Sequence, residues 1–408
     1  MTQYINKSGR FLLPGKLEPY LLIYAQKLSE QGYTNLSVRG YIDSVSHFGT
    51  WLTMNKVPIE NIDVKIVEQF AKHRCRCPGG RRKILLSKKY VNRVRKFIDF
   101  LCKHGVVYEM LNKSLLVPNA NFQEFLQQRG LSSITVKHYS DSINVILPLL
   151  GQEPKNYDAK VIKQTILKLS KQYSLARLKS LTTALRSYLR FLAVKKQCLP
   201  DLDRAVPTVA NWSLSSIPKY IVAEEIEQVI NSCDIQTPKG LRDRAIILLL
   251  SRIGLRAGDI VDMKLDHIDW HNGSVRLVGK MNREDCLPLS QDVGDAILDY
   301  IENARPPEKI AEVFLCLNAP HRPFSSSVAV SSLVASAIKR SGIPTPASCG
   351  AHLLRHSAAT QMLRAGATLE TVSSILRHRS LDMTAYYAKV DIPMLKTIVQ
   401  PWPARVTP

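Results

Sequence analysis

Between Gly273 and Ser290 the chain reads GSVRLVGKMNREDCLPLS, two short alternating runs of apolar and polar residues on either side of a turn. Period-two alternation broken by Gly and Asn predicts a β-hairpin, with Lys280 at its tip. The flanks read differently. Tyr220–Ile230 (YIVAEEIEQVI) has apolar residues at helical spacing, and helical patterning resumes after the hairpin and continues to the end. The fold class expected is therefore mainly α with a small β-sheet (α+β), and a separate α+β domain is expected at 218–408.

Upstream of that domain, Pro200, Pro207 and Pro218 punctuate polar residues, and 206–217 reads as a linker. The front half contains the same pattern twice. QGYTNLSVRGYIDSV (Gln31–Val45) aligns without gaps on RGLSSITVKHYSDSI (Arg129–Ile143), matching Gly32 with Gly130, Val38 with Val136, Tyr41 with Tyr139 and Asp43 with Asp141. VRKFIDFL (Val94–Leu101) likewise answers LRSYLRFL (Leu185–Leu192). Each copy reads as a short helical bundle, one at 1–112 and one at 118–205.

Only the first copy carries HRCRCPGGRRKILLSKK, residues 73–89. Seven Lys and Arg around a Pro-Gly-Gly turn have no place in a core, so Arg74, Arg76, Arg81, Arg82 and Lys83 are expected to face solvent or the phosphates of DNA. His73, Cys75 and Cys77, with Cys102 and His104, could supply zinc ligands. The C-x-C spacing is not that of a standard finger, and the expectation is unliganded thiols in a basic loop, with no metal.

The 408 residues carry 56 Lys and Arg against 34 Asp and Glu, a formal charge of +22, which calls for a polyanionic partner. Basic residues are spread along the chain and flank no amphipathic or apolar segment, which favours nucleic acid over a membrane surface. The densest apolar run, AIILLLS (Ala245–Ser251), is too short to span a bilayer, and the start has no signal-peptide pattern. A cytoplasmic, nucleoid-associated protein with eight reduced cysteines is expected.

Four groups in the last domain have the composition of a phosphate-handling site. In GLRAGDIVDM, Arg256 stands where one helix ends at Gly254 and the next begins. In AHLLRHSAATQMLRAG, His352 and Arg355 share a helix face opposite Leu354, Ala358 and Met362. Lys280 is the flexible cation of the hairpin. In RHRSLDMTAYYAKV (Arg377–Val390), His378 and Tyr387 would lie on opposite faces of one unbroken helix, but a cap at Ser380 or Asp382 lets them converge. Tyr386 and Tyr387 are about 100° apart around a helix, so only one can enter a shared site.

These motifs together resemble the tyrosine recombinases of the phage integrase family: GLR, GKMNRED for the family's GKxNKER, HLLRH for HxLRH, and LRHRS for LGHxS with a tyrosine nine residues past its histidine. The resemblance implies a catalytic set of Arg256, Lys280, His352, Arg355, His378 and Tyr387, with Tyr387 as nucleophile; a contact to DNA is expected from Arg283, and from Arg377 either a phosphate contact or altered helix packing. GYTNLSVRGY and GLSSITVKHY resemble the opening of the family's helical SAM-like core-binding domain, of which a second copy is unusual. Arg377 stands where the family commonly has glycine, and Asp285 where it commonly has a basic residue.

The resemblance further implies site-specific recombination through a 3′-phosphotyrosyl intermediate, with neither ATP nor metal, on double-stranded DNA sites. A homo-tetramer is implied, with the segment Asp391–Pro403 docked on a neighbour or folded on its own domain, and sister recombinases as possible helpers of a mobile element. The chain has no P-loop glycine run and no carboxylate cluster suited to two metals. Two other readings stay open at this point: a type IB topoisomerase, which uses a similar set of residues to relax DNA, and a non-enzymatic repressor on the same scaffold.

Overall fold

The computed structural model describes residues 13–78, 86–107, 117–151, 153–210, 218–279, 284–344, 346, 349–378 and 380–389. Arg81, Arg82, Lys83, Lys280, Arg283 and the segment Asp391–Pro403 lie outside them. The chain packs as two compact units, one of Ser44–Ser213 and one that gathers Glu18–Asp43 with the segment from Leu214 onward.

The front half is a succession of helices that occurs twice: α1 (Glu18–Glu30), α2 (Asn35–Met54), α3 (Val64–Lys72) and α4 (Lys88–Lys103), then α5 (Val117–Gln128), α6 (Ser133–Leu150), α7 (Ala159–Ser170) and α8 (Leu175–Val194). Local chemistry repeats with it. Gly32 and Gly130, after α1 and α5, both have left-handed backbones (φ +79° and +74°), which glycine adopts without strain. Asp63 and Asp158 cap α3 and α7, and Ser87 and Ser174 cap α4 and α8, each accepting from a backbone N–H one turn in. In the second copy Phe122, Leu126, Ile143, Ile146, Leu181, Leu185 and Tyr188 form a sealed core.

The segment from Leu214 builds on α10 (Pro238–Ser251), which follows α9 (Ala223–Asn231) and whose run Ala245–Leu250 is buried all round. A helix apolar on every side belongs at the centre of a domain, which explains the density of AIILLL without a membrane. Among the described residues no helix is long and apolar enough to cross a bilayer. After α11 (Ala257–Val261) come β1 (Ile268–Asp269), β2 (Ser274–Val278) and β3 (Glu284–Pro288), an antiparallel sheet in the order β1-β2-β3. Ser274 pairs with Pro288 and Val278 with Glu284, so the hairpin read from the sequence is formed and Lys280 falls in its connection. Helices α12 (Gln291–Asn303), α13 (Ser327–Ser341), α14 (Ala351–Arg364), α15 (Leu369–Ile375) and α16 (Leu381–Ala388) follow the sheet among the described residues. The fold is mostly helical with one small sheet.

Candidate active site

Three features of the chain bring the candidate residues together. The first is Gly254, in a left-handed turn (φ +70°) between α10 and α11. The backbone there favours glycine, and a Cβ would fall 2.6 Å from Leu376 Cδ2 and oblige that side chain to shift. Arg256, two residues on, is the N-cap of α11, and its backbone N–H donates to Asp259 Oδ2 at 3.2 Å. Its guanidinium donates to the carbonyl of Arg377 at 2.6 Å.

The second is α14, which enters at Ala351. Arg355 is buried, and its two terminal nitrogens donate to the carbonyls of Gly254 and Leu376. One guanidinium thus ties the two loops flanking the site. Burial, then the nearby Arg256, lowers its pKa to about 10, so it remains a cation at neutral pH. His352, one turn before Arg355, has its pKa lowered by burial and by the same arginines, which places it in their field.

The third is the break between α15 and α16. Ser380 takes the N-cap position of α16, although its side chain makes no cap bond, and the chain reverses so that His378 and Tyr387 face each other. Their rings are parallel, with centroids 6.2 Å apart. His378 Nδ1 lies 2.8 Å from Thr384 Oγ1. Tyr387 is buried (2% exposed) among Ala359, Leu363, Val372 and Leu376, whereas Tyr386 is only partly buried against them. Burial pushes the Tyr387 phenol up, while the Arg355 and Arg256 charges pull it down.

The sequence reading missed His356. Its Nδ1 lies 2.7 Å from the Tyr387 hydroxyl. The signal was present, since His352 and His356 are four apart and so on one helix face. Burial, then His352 and Arg355, lowers the His356 pKa to about 4, and His378 is likewise at about 4 through burial and the arginines. Both imidazoles are neutral at pH 7, the form able to accept a phenolic proton.

Neutral burial has a thermodynamic consequence. The unfolded chain binds more protons than the folded one below the ordinary histidine pKa of 6.5, so stability is complete above that pH and falls as pH drops toward 4. Melting temperatures recorded from pH 8 to 4 are expected to be flat and then decline from about 6.5, and His356→Asn should make the decline shallower.

Arg377, expected at a DNA phosphate or in helix packing, has a side chain only 7% exposed and is held by Asp285 at 2.6 Å and Asp259 at 3.1 Å. Its backbone is left-handed (φ +55°), which explains why glycine suits the position and why an arginine there must be anchored. The two departures from the family pattern, Arg377 and Asp285, are therefore partners. Arg74 and Arg76 are exposed, in the other unit.

Residues 219–392 match the phage integrase family. The chain is 33% identical over 99% of its length, and 99% of the relative's, to a protein assigned as integrase/recombinase y4rA of Sinorhizobium fredii. It is 28% identical over 68% of its length, and 95% of the relative's, to the tyrosine recombinase XerD of Listeria monocytogenes. A lambda integrase tetramer bound to a Holliday junction shares the fold, with a TM-score of 0.53 at 17% identity over 76% of this chain and 89% of that one.

Proposed function

Because the chain belongs to the phage integrase family of tyrosine recombinases, enzymes that break and rejoin DNA, we propose that it carries out site-specific recombination through a covalent 3′-phosphotyrosyl intermediate on Tyr387. The observation that carries this reading is the Tyr387 hydroxyl, 2.7 Å from a neutral imidazole and in the field of two guanidinium groups. A phenol with an ordinary pKa near 10 is a weak nucleophile at pH 7 and needs a proton acceptor as it attacks. His356 accepts that proton. The phosphorane formed gains negative charge, which Arg256 and Arg355 neutralise, pre-positioned by the main-chain carbonyls they bind. Lys280 protonates the departing 5′-oxygen, His352 acts as a further acid or base, and His378 donates to the phosphate.

Storing the phosphodiester energy in the tyrosyl ester makes the reverse attack by a 5′-hydroxyl nearly isoenergetic. The chemistry then needs no ATP and no metal. Cleavage is expected to proceed in EDTA without added magnesium, and a strict magnesium requirement would overturn the scheme.

Residues 118–205 form the core-binding half of a clamp closed on DNA by 218–408, and 1–112 adds an accessory DNA-binding unit whose basic insertion, 73–89, meets phosphates through Arg74, Arg76, Arg81, Arg82 and Lys83. Arg283, beside the hairpin turn, adds a phosphate contact. Four copies act on two sites, as the assembly of lambda integrase on a Holliday junction suggests by likeness of fold. The direct test is a nicked double-stranded site whose 5′-hydroxyl fragment escapes after cleavage. A protein–DNA adduct that survives denaturation, mapped by mass spectrometry of the linked peptide to Tyr387, supports the reading. Tight binding with no adduct supports the repressor instead.

A further inference from the structure

The amino-terminal copy of the helical unit contains four side chains that its twin lacks. His47 of α2, His73 at the end of α3, and Cys75 and Cys77 just beyond it bring one ligand atom each to a common point, all within 4.8 Å of one another. His47 is 4% exposed, Cys75 2% and Cys77 5%. His73 leaves α3 with an extended backbone and burial alternates beyond it, with Cys75 and Cys77 buried and Arg74 and Arg76 exposed. Cys102 and His104, considered with them from the sequence, are not in the group, and His47 takes their place.

The imidazoles are oriented as metal ligands are. His73 Nδ1 bonds the carbonyl of Phe70 and His47 Nδ1 lies 3.1 Å from the Tyr90 hydroxyl, which leaves both Nε2 atoms facing the sulphurs. His47 Nε2 is 3.2 Å from Cys75 Sγ, and His73 Nε2 is 3.9 Å from Cys77 Sγ. Tetrahedral zinc, with bonds of about 2.0 Å to nitrogen and about 2.3 Å to sulphur, sets its ligands roughly 3.3–3.8 Å apart. Separations within 4.8 Å close by at most about 1 Å to reach that geometry.

The internal repeat supplies an independent argument. The alignment that pairs Asp43 with Asp141 pairs His47 with Val145, a residue packed on the apolar core of the second copy. A histidine in place of a partly buried valine packed on the core is unfavourable unless its nitrogens are used. It occurs in the copy that also has the basic insertion, and the insertion begins at His73 and ends just before Tyr90. We propose that His47, His73, Cys75 and Cys77 form a structural zinc site that fastens the root of the basic insertion to α2. Two thiolates and two imidazoles suit zinc among the available divalent ions, and four protein ligands leave no open position for catalysis. The site therefore takes no part in strand cleavage.

The test uses the full chain, incubated with zinc chloride, exchanged into metal-free buffer and assayed by plasma mass spectrometry. One zinc per chain is expected, falling to near zero in Cys75→Ser/Cys77→Ser and unchanged in Cys286→Ser, which alters an exposed cysteine elsewhere. Wild-type protein that retains no zinc, or a double variant that retains as much, overturns the proposal. Because the double variant could misfold, wild-type chain loaded with cobalt(II) gives a second reading. Thiolate-to-cobalt charge transfer with tetrahedral ligand-field bands is expected, and a six-coordinate spectrum without charge transfer overturns the site.

Discussion

Tyr387→Phe is expected to abolish covalent adduct formation on a nicked site, with loss of cleavage by about 10⁴-fold or more, as for removal of other nucleophiles. The change deletes one oxygen and keeps the ring that fills the cluster of Ala359, Leu363, Val372 and Leu376, so the fold and DNA affinity should survive. Tyr386→Phe is the matched control. Its ring is only partly buried against the same cluster, and the adduct should form at close to the wild-type rate. An adduct retained by Tyr387→Phe, or lost only in Tyr386→Phe, would reassign the nucleophile.

Arg355→Ala should act on both chemistry and fold. Loss of a preorganised cation at the phosphorane lowers cleavage by on the order of 10²-fold or more. The same change leaves the carbonyls of Gly254 and Leu376 without their donor, and unpaired buried groups cost roughly 1–3 kcal/mol each. Lysine cannot repair this, because a single ammonium does not reproduce a planar fork holding two carbonyls. Measuring adduct yield, DNA binding and urea midpoint together separates the two effects. Arg355→Lys with wild-type cleavage and wild-type midpoint would remove Arg355 from both roles.

What the sequence disclosed was local. The hairpin followed from period-two alternation, the junction at Arg256 from Gly254, and the break between His378 and Tyr387 from residues able to start a new helix. Each is decided within one or two turns of chain. The pairing of His356 with Tyr387 spans 31 residues and depends on how α16 folds back on α14, which no local pattern encodes. His47 on an apolar helix reads as a core residue until the end of α3 is brought beside it. Arg377, standing where the family commonly has glycine, was expected either at phosphate or in helix packing. In the fold it meets carboxylates, one of them 92 residues earlier in the chain.

That last contact bears on how the enzyme can change over time. Arginine at 377 holds a left-handed backbone while paired with Asp285 and Asp259, and Asp285 brings to the end of the hairpin a negative charge that Arg377 offsets. Replacing either residue alone removes the 2.6 Å ion pair between them, although with Asp285 replaced Arg377 keeps Asp259 at 3.1 Å. The two positions are coupled through one ion pair. A hairpin transplanted from another recombinase would arrive without its partner on the far side of the site.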